Sequence, residues 1–190
     1  MNLNELLEYI INYPSRRLII GIDGKCGAGK TTLAGQIAER TECNVIHADS
    51  FFLPDDIRNQ KDFPAPGANL HVQRLRHEVI EPLCQEKPFE YGVYSCAEKR
   101  ITSYISVPVR RINIIEGSYC LHPYFKDVYD IRIFLDISPK LQKERILARD
   151  GKEKLIQYEK RWIPMEKAYF AEYNIKKGCN LRLDFTYAVC

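Results

Sequence analysis

Apolar positions in this chain follow two rhythms. Near the start, Leu3, Leu6, Leu7, Ile10 and Ile11 recur at i, i+3, i+4, i+7 and i+8, the spacing of one helical face packed on a core. Short, nearly continuous apolar runs follow at 17–23, 44–48, 111–117, 130–136 and 181–185, and these read as buried strands. Helical patterns fill the gaps. Residues 32–40 form one. Val72, Leu75, Val79 and Leu83 form the stripe of another, with Asn69 as the expected N-cap and Pro82 expected to end or kink it. Ser138-Pro139 places a cap and a first-turn proline ahead of a helix running to about Asp150, where Gly151 breaks it. A further helix covers roughly 152–172.

Strands alternating with helices imply an α/β fold with a parallel sheet covered on both faces. The expectation is a three-layer arrangement around a mostly parallel five-stranded sheet. Pro54, Pro64, Pro66 and Gly67 make the stretch to about residue 68 a loop. Residues 88–108, rich in Tyr, Val and Ile, are expected as an irregular excursion with short strands. At 190 residues with no internal repeat, one domain spanning 1–190 is expected. It would carry a substrate-side excursion at about 50–108 and a lid at about 145–165.

The run after the first strand carries the strongest chemical signal. Gly24-Lys25-Cys26-Gly27-Ala28-Gly29-Lys30-Thr31 reads G-x-x-x-x-G-K-[ST], and it stands between a strand and a helix, as a P-loop NTPase fold requires. The backbone of Gly24, Gly27, Ala28, Gly29, Lys30, Thr31 and Thr32 would cradle nucleotide phosphates at the helix N-terminus. Lys30 would reach the β- and γ-phosphates, and the Thr31 hydroxyl would ligate Mg²⁺. The competing reading is a glycine-rich turn with an incidental lysine.

Ligands of such sheets bind beyond the C-terminal strand ends. Asp49 sits there after the second strand, placed to accept a proton from a substrate hydroxyl or, more simply, to serve as a turn aspartate. Glu116 ends the 111–117 strand, where a second acidic group would hold Mg²⁺; the alternative is a solvated glutamate. Arg145 and Arg149, four apart on one helix face, would close on phosphates. Otherwise they belong to a solvated basic face with Lys140, Lys143 and Lys152.

Composition narrows the partners. A formal charge of +3 is too small to argue for nucleic acid or an anionic membrane, and no run approaches the ~20 apolar residues of a membrane span. The seven cysteines are irregularly spaced with no C-x-x-C pair. Together with Glu5 and Glu8 in place of an early basic cluster, this reads as reduced thiols in a cytoplasmic protein.

With these residues assembled, the chain resembles the uridine kinase-like group of P-loop kinases, which also holds phosphoribulokinases and bacterial pantothenate kinases. Asp49-Ser50-Phe51-Phe52 is similar to that group's D-S-F-Y/F segment, Val79-Ile80-Glu81-Pro82-Leu83 to its V-x-E-P-L helix end, and Ile114-Ile115-Glu116-Gly117 to its I-x-E-G strand end. The likeness spans about 17–185. It implies an ATP- and Mg²⁺-dependent phosphotransferase with Asp49 as catalytic base and Lys30, Arg145 and Arg149 acting on the phosphates. It further implies Phe52, Tyr94 and Arg161 at the acceptor, with Arg161-Trp162-Ile163-Pro164-Met165-Glu166 in a short lid. The chain departs from the group where Tyr94-Ser95-Cys96-Ala97-Glu98-Lys99-Arg100 replaces Y-D-F and its following histidine. Neither Asp62-Phe63-Pro64 nor Asn69-Leu70-His71 matches the ribose-binding F-D-x-P. The acceptor expected from the resemblance is a nucleoside such as uridine, the alternative being a sugar or pantothenate-like alcohol. A non-catalytic nucleotide switch is the other class considered; the N-K-x-D of guanine switches is missing, the nearest string being Asn174-Ile175-Lys176-Lys177.

Overall fold

The computed structural model describes residues 1–54, 57 and 66–184. Phe185, expected in the last strand, and Asp62-Phe63-Pro64 lie outside these residues.

A capping box starts α1 (Leu3–Ile11): the Asn2 side chain accepts from the Glu5 N–H at 3.0 Å, and the Glu5 carboxylate accepts from the Asn2 N–H at 2.9 Å. The strands are β1 (Leu18–Gly24), β2 (Cys43–His47), β3 (Phe89–Ser95), β4 (Arg100–Val107), β5 (Ile112–Glu116), β6 (Ile131–Asp136) and β7 (Leu181–Asp184). Five of them form a parallel sheet in the order β2-β5-β1-β6-β7, as the alternation of elements predicts. Successive β1 side chains serve opposite faces. Leu18, Ile20 and Ile22 pack with Leu6, Leu7 and Ile10 of α1 and with Leu33, Ala34 and Ile37 of α2 (Lys30–Ala38). Ile19 packs on the other face with Ile46, Ile115, Phe134, Leu75, Val79 and Tyr169. The sheet is therefore covered on both sides.

The α3 segment opens as Val72–Leu75, widens into a π turn at Arg76–Ile80 and resumes as Glu81–Cys84. One expectation changes here. Asn69 is not its cap; His71 is, with Nδ1 accepting from the Arg74 N–H at 3.3 Å. The Leu53 N–H donates to the Asn69 carbonyl at 2.8 Å and the His71 N–H to the Phe51 carbonyl at 2.7 Å. This pairing keeps residues 69–71 extended until the helix can begin. Of the two outcomes expected of Pro82, an irregularity is what is seen, and the proline does not end the helix. It falls in the first turn of the Glu81–Cys84 segment, directly after the π turn, where a missing N–H costs little.

The 88–108 stretch is more regular than expected. β3 and β4 pair antiparallel along their length, with a bulge between Val93 and Tyr94. The Glu78 carboxylate accepts from the Gly92 N–H at 3.0 Å, and Arg74 donates to the Ser50 carbonyl at 2.8 Å, so α3 ties this hairpin to the strand-end loop. Residues 139–172 run as α4 (Pro139–Gln157), a π turn (Tyr158–Trp162) and α5 (Ile163–Glu172). Gly151 interrupts α4 with φ 82° and ψ 174°, the break its sequence position predicts.

Candidate active site

The C-terminal ends of β1, β2 and β5 open onto one cavity of about 850 Å³. Gly27, Gly29, Lys30, Thr31, Thr32, Asp49, Phe52, Glu116, Arg145 and Arg149 line it, so ten of the residues singled out in the sequence converge there. Gly24 and Ala28 lie beneath. A side chain at Gly24, whose φ is 141°, would collide with the Leu135 backbone, and Ala28 is buried. Gly29 caps α2 in the left-handed region at φ 95°, which opens the loop's N–H groups toward the cavity. Tyr94 is buried within β3, and the Arg161 guanidinium lies over the Trp162 ring at 4.6 Å. Neither is among the described residues lining the cavity.

Lys30 Nζ donates to the Gly24 carbonyl at 2.8 Å and the Lys25 carbonyl at 3.2 Å. Lys25 pairs with Asp136 at 2.6 Å and fixes the loop to the end of β6. On the other side, Thr31 Oγ1 donates to Glu116 Oε1 at 3.0 Å. His47, beside Glu116 in the β2–β5 register, brings Nδ1 to 2.5 Å of the same oxygen. That contact raises the imidazole's pKa against the opposing effect of burial. A hydroxyl and a buried carboxylate, both hard oxygen donors, suit Mg²⁺, which takes one or two carboxylates and completes its shell with phosphate and water. Among the described residues no cluster of three His, Cys, Asp or Glu forms a self-sufficient metal cage. Glu116→Gln is expected to raise the Mg²⁺ concentration for half-maximal rate by about 10–100-fold. A titration of rate against Mg²⁺ checks this; an unchanged midpoint rejects the assignment.

Asp49 stands in the 3₁₀ turn Ala48–Phe51. Burial pushes its carboxyl above the usual range and Glu116 adds to the shift, while Lys30 pulls it back. Asp23, under the loop, is fully buried. Its carboxylate accepts from Gly24 N–H at 2.7 Å, Leu121 N–H at 3.2 Å and Tyr169 Oη–H at 3.0 Å, and burial lifts its pKa to about 6.

The helical segment closes over the loop from the far end of the chain. Arg145 donates to the Gly27 carbonyl at 3.2 Å and Gln142 to the Cys26 carbonyl at 3.0 Å. Glu166, 3% exposed, accepts from the Cys26 N–H at 3.0 and 3.1 Å and from Ser118 Oγ–H at 3.3 Å. Arg149 pairs with Asp150 at 2.7 Å and donates to Tyr158 Oη at 3.2 Å. Asp23, His47 and Gln142 carry no sequence signal of a role, and Glu166 enters only as part of the lid stretch; their partners here are distant in sequence. Arg145→Ala is expected to lower single-turnover rate at saturating ATP by at least about tenfold, and Arg149→Ala by less, because its guanidinium already serves Asp150. Unchanged rates in both variants would return them to a solvated basic face.

Loop, lysine, strand-end carboxylates and parallel sheet define the P-loop class of nucleotide-binding folds. No family model matches the chain. It is 31% identical over 153 residues to the uridine kinase of Oceanobacillus iheyensis, covering 72% of this chain and 69% of that protein. It is 30% identical over 152 residues to the uridine kinase of Clostridium perfringens strain SM101, covering 73% and 71%. The chain belongs to the uridine kinase family of P-loop kinases. In fold it matches a possible uridine kinase from Bacillus stearothermophilus with TM-score 0.73 at 17% identity over 96% of this chain and 97% of that one. A protein from Silicibacter sp. TM1040, provisionally described as a fructose transport system kinase, follows with TM-score 0.68 at 17% identity over 96% and 99%. At such identity these two structures speak for the fold alone.

Proposed function

We propose that this kinase moves the terminal phosphoryl group of ATP to a hydroxyl of a small molecule, a nucleoside such as uridine being the first candidate. One observation carries the reading: a buried carboxylate, Asp49, shares a cavity with the P-loop, within the field of Lys30. Phosphoryl transfer asks the protein for position, charge compensation and a proton acceptor, and these residues supply all three. The loop N–H groups and Lys30 hold the phosphates. Asp49 takes the proton of the acceptor hydroxyl as the new O–P bond forms and the bond to the β-phosphate oxygen breaks. Thr31 and Glu116 would hold Mg²⁺, which compensates charge on the β- and γ-phosphate oxygens when bound, and His47 orients Glu116. Phe52, Asn69, Cys96 and Tyr119 form the cavity wall available to the acceptor.

A non-nucleoside alcohol is the second reading, favoured by Tyr94, whose ring lies in the hairpin and not at the cavity wall. ATP consumption across nucleosides, sugars and pantothenate-like alcohols, with product mass measured, decides between them. Phosphorylation of uridine or cytidine at the highest kcat/KM supports the first; a sugar phosphate as the favoured product replaces it.

A further inference from the structure

P-loops present backbone N–H groups to an anion, and a lysine adds its charge to the same place. Here an anion of the protein already occupies part of that place. Glu166 takes the Cys26 N–H with both carboxylate oxygens, at 3.0 and 3.1 Å. Lys30 acts on the same carboxylate. Ser118, two residues beyond Glu116 at the end of β5, donates a further bond at 3.3 Å. The group is 3% exposed and lines the nucleotide cavity. It is carried by α5, which follows α4 after the Gly151 break and a π turn, the irregularities at which helices bend.

From this geometry we infer that Glu166 holds the seat of the donor's terminal phosphate as an internal anion, and that binding a nucleoside triphosphate displaces it and shifts α5. The inference rests on the kinase reading above and adds a determinant of donor binding. Two anions compete for one N–H group and one ammonium, and like charges so close repel strongly in a site shielded from water. The carboxylate therefore taxes a triphosphate, whose terminal phosphate reaches the Cys26 N–H, more than a diphosphate, whose last phosphate meets Lys30 but ends short of that N–H. Burial, which raises the Glu166 carboxyl's pKa against the pull of Lys30 and Cys26, shows the group to be kept there at a cost. Trp162, the chain's one tryptophan, sits four residues before Glu166 in the cavity wall and reports the movement.

The test is calorimetric binding of the magnesium complexes of ADP and of a non-hydrolysable β,γ-imido triphosphate to the wild type, Glu166→Gln and Glu166→Ala. The expected result is a gain of about tenfold or more for the triphosphate analogue in both variants, with ADP affinity held within about twofold. In the wild type, the triphosphate analogue and not ADP should change Trp162 emission. A merely structural Glu166 predicts the opposite: a loosened loop that binds both nucleotides more weakly. Equal or weaker triphosphate binding in the variants, or the same emission change with both nucleotides, overturns the inference while leaving the kinase reading intact. Absence of any nucleotide binding to the wild type would overturn the kinase reading and this inference with it. Should Glu166→Gln fail to fold, Glu166→Ala gives the same comparison.

Discussion

Lys30→Ala is expected to abolish phosphoryl transfer while the fold survives. Among the described residues the Nζ group donates to the Gly24 and Lys25 carbonyls, both in the loop itself. Its loss removes charge from the transferring phosphate, the largest single contribution such a site makes. The cost to stability depends on pH. Lys30 opposes the burial-raised pKa values of Asp23, Asp49 and Glu166. Without it these acids hold their protons to higher pH in the folded state. For an acid whose folded pKa is raised, the folded form gains as pH falls toward the ordinary carboxylate value and loses as pH rises through the raised one. The variant's Tm should therefore fall short of the wild type by more at pH 8 than at pH 5.5. Circular dichroism melts at the two pH values and single-turnover product formation check both halves. Turnover near the wild-type rate would reject the P-loop assignment.

What could be read in advance follows from how locally each feature is encoded. The P-loop is eight contiguous residues, and strand–loop–helix geometry follows from its immediate neighbours. Glu116 and Asp49 were legible as strand-end carboxylates because a parallel sheet gathers its C-terminal ends whatever the loops between them do. The roof was not. Glu166 reaches Cys26 from 140 positions away and Gln142 from 116, and neither contact leaves a trace in local periodicity. The same reason explains the misplaced cap: Asn69 has a good capping side chain, but pairing of residues 69–71 with 51–53 decides where α3 begins. The β3–β4 hairpin was underestimated because β4 exposes nearly every residue, so it lacks the one-sided alternation by which strands are recognised.

Asp49→Asn separates base from bystander. The substitution keeps size and shape in the 3₁₀ turn beside Gly117, where an added Cβ would come within 3.2 Å of Asp49 Oδ1. It removes only the ability to take a proton. Turnover is expected to fall by about 10²–10⁴-fold, while affinity for the magnesium complex of ATP stays within about twofold because the loop and Lys30 remain. The wild-type pH profile supplies an independent signature. A base must be ionised to act, so kcat/KM falls as pH falls through the pKa of Asp49. Burial, with Glu116 nearby, sets that pKa above the ordinary value of 3.8, and the acid limb should begin correspondingly higher. In Asp49→Asn that limb should vanish from the residual rate. Normal turnover in the variant, or an acid limb unchanged by the substitution, would reduce Asp49 to a residue of the turn and pass the proton acceptor's role to another group in the cavity.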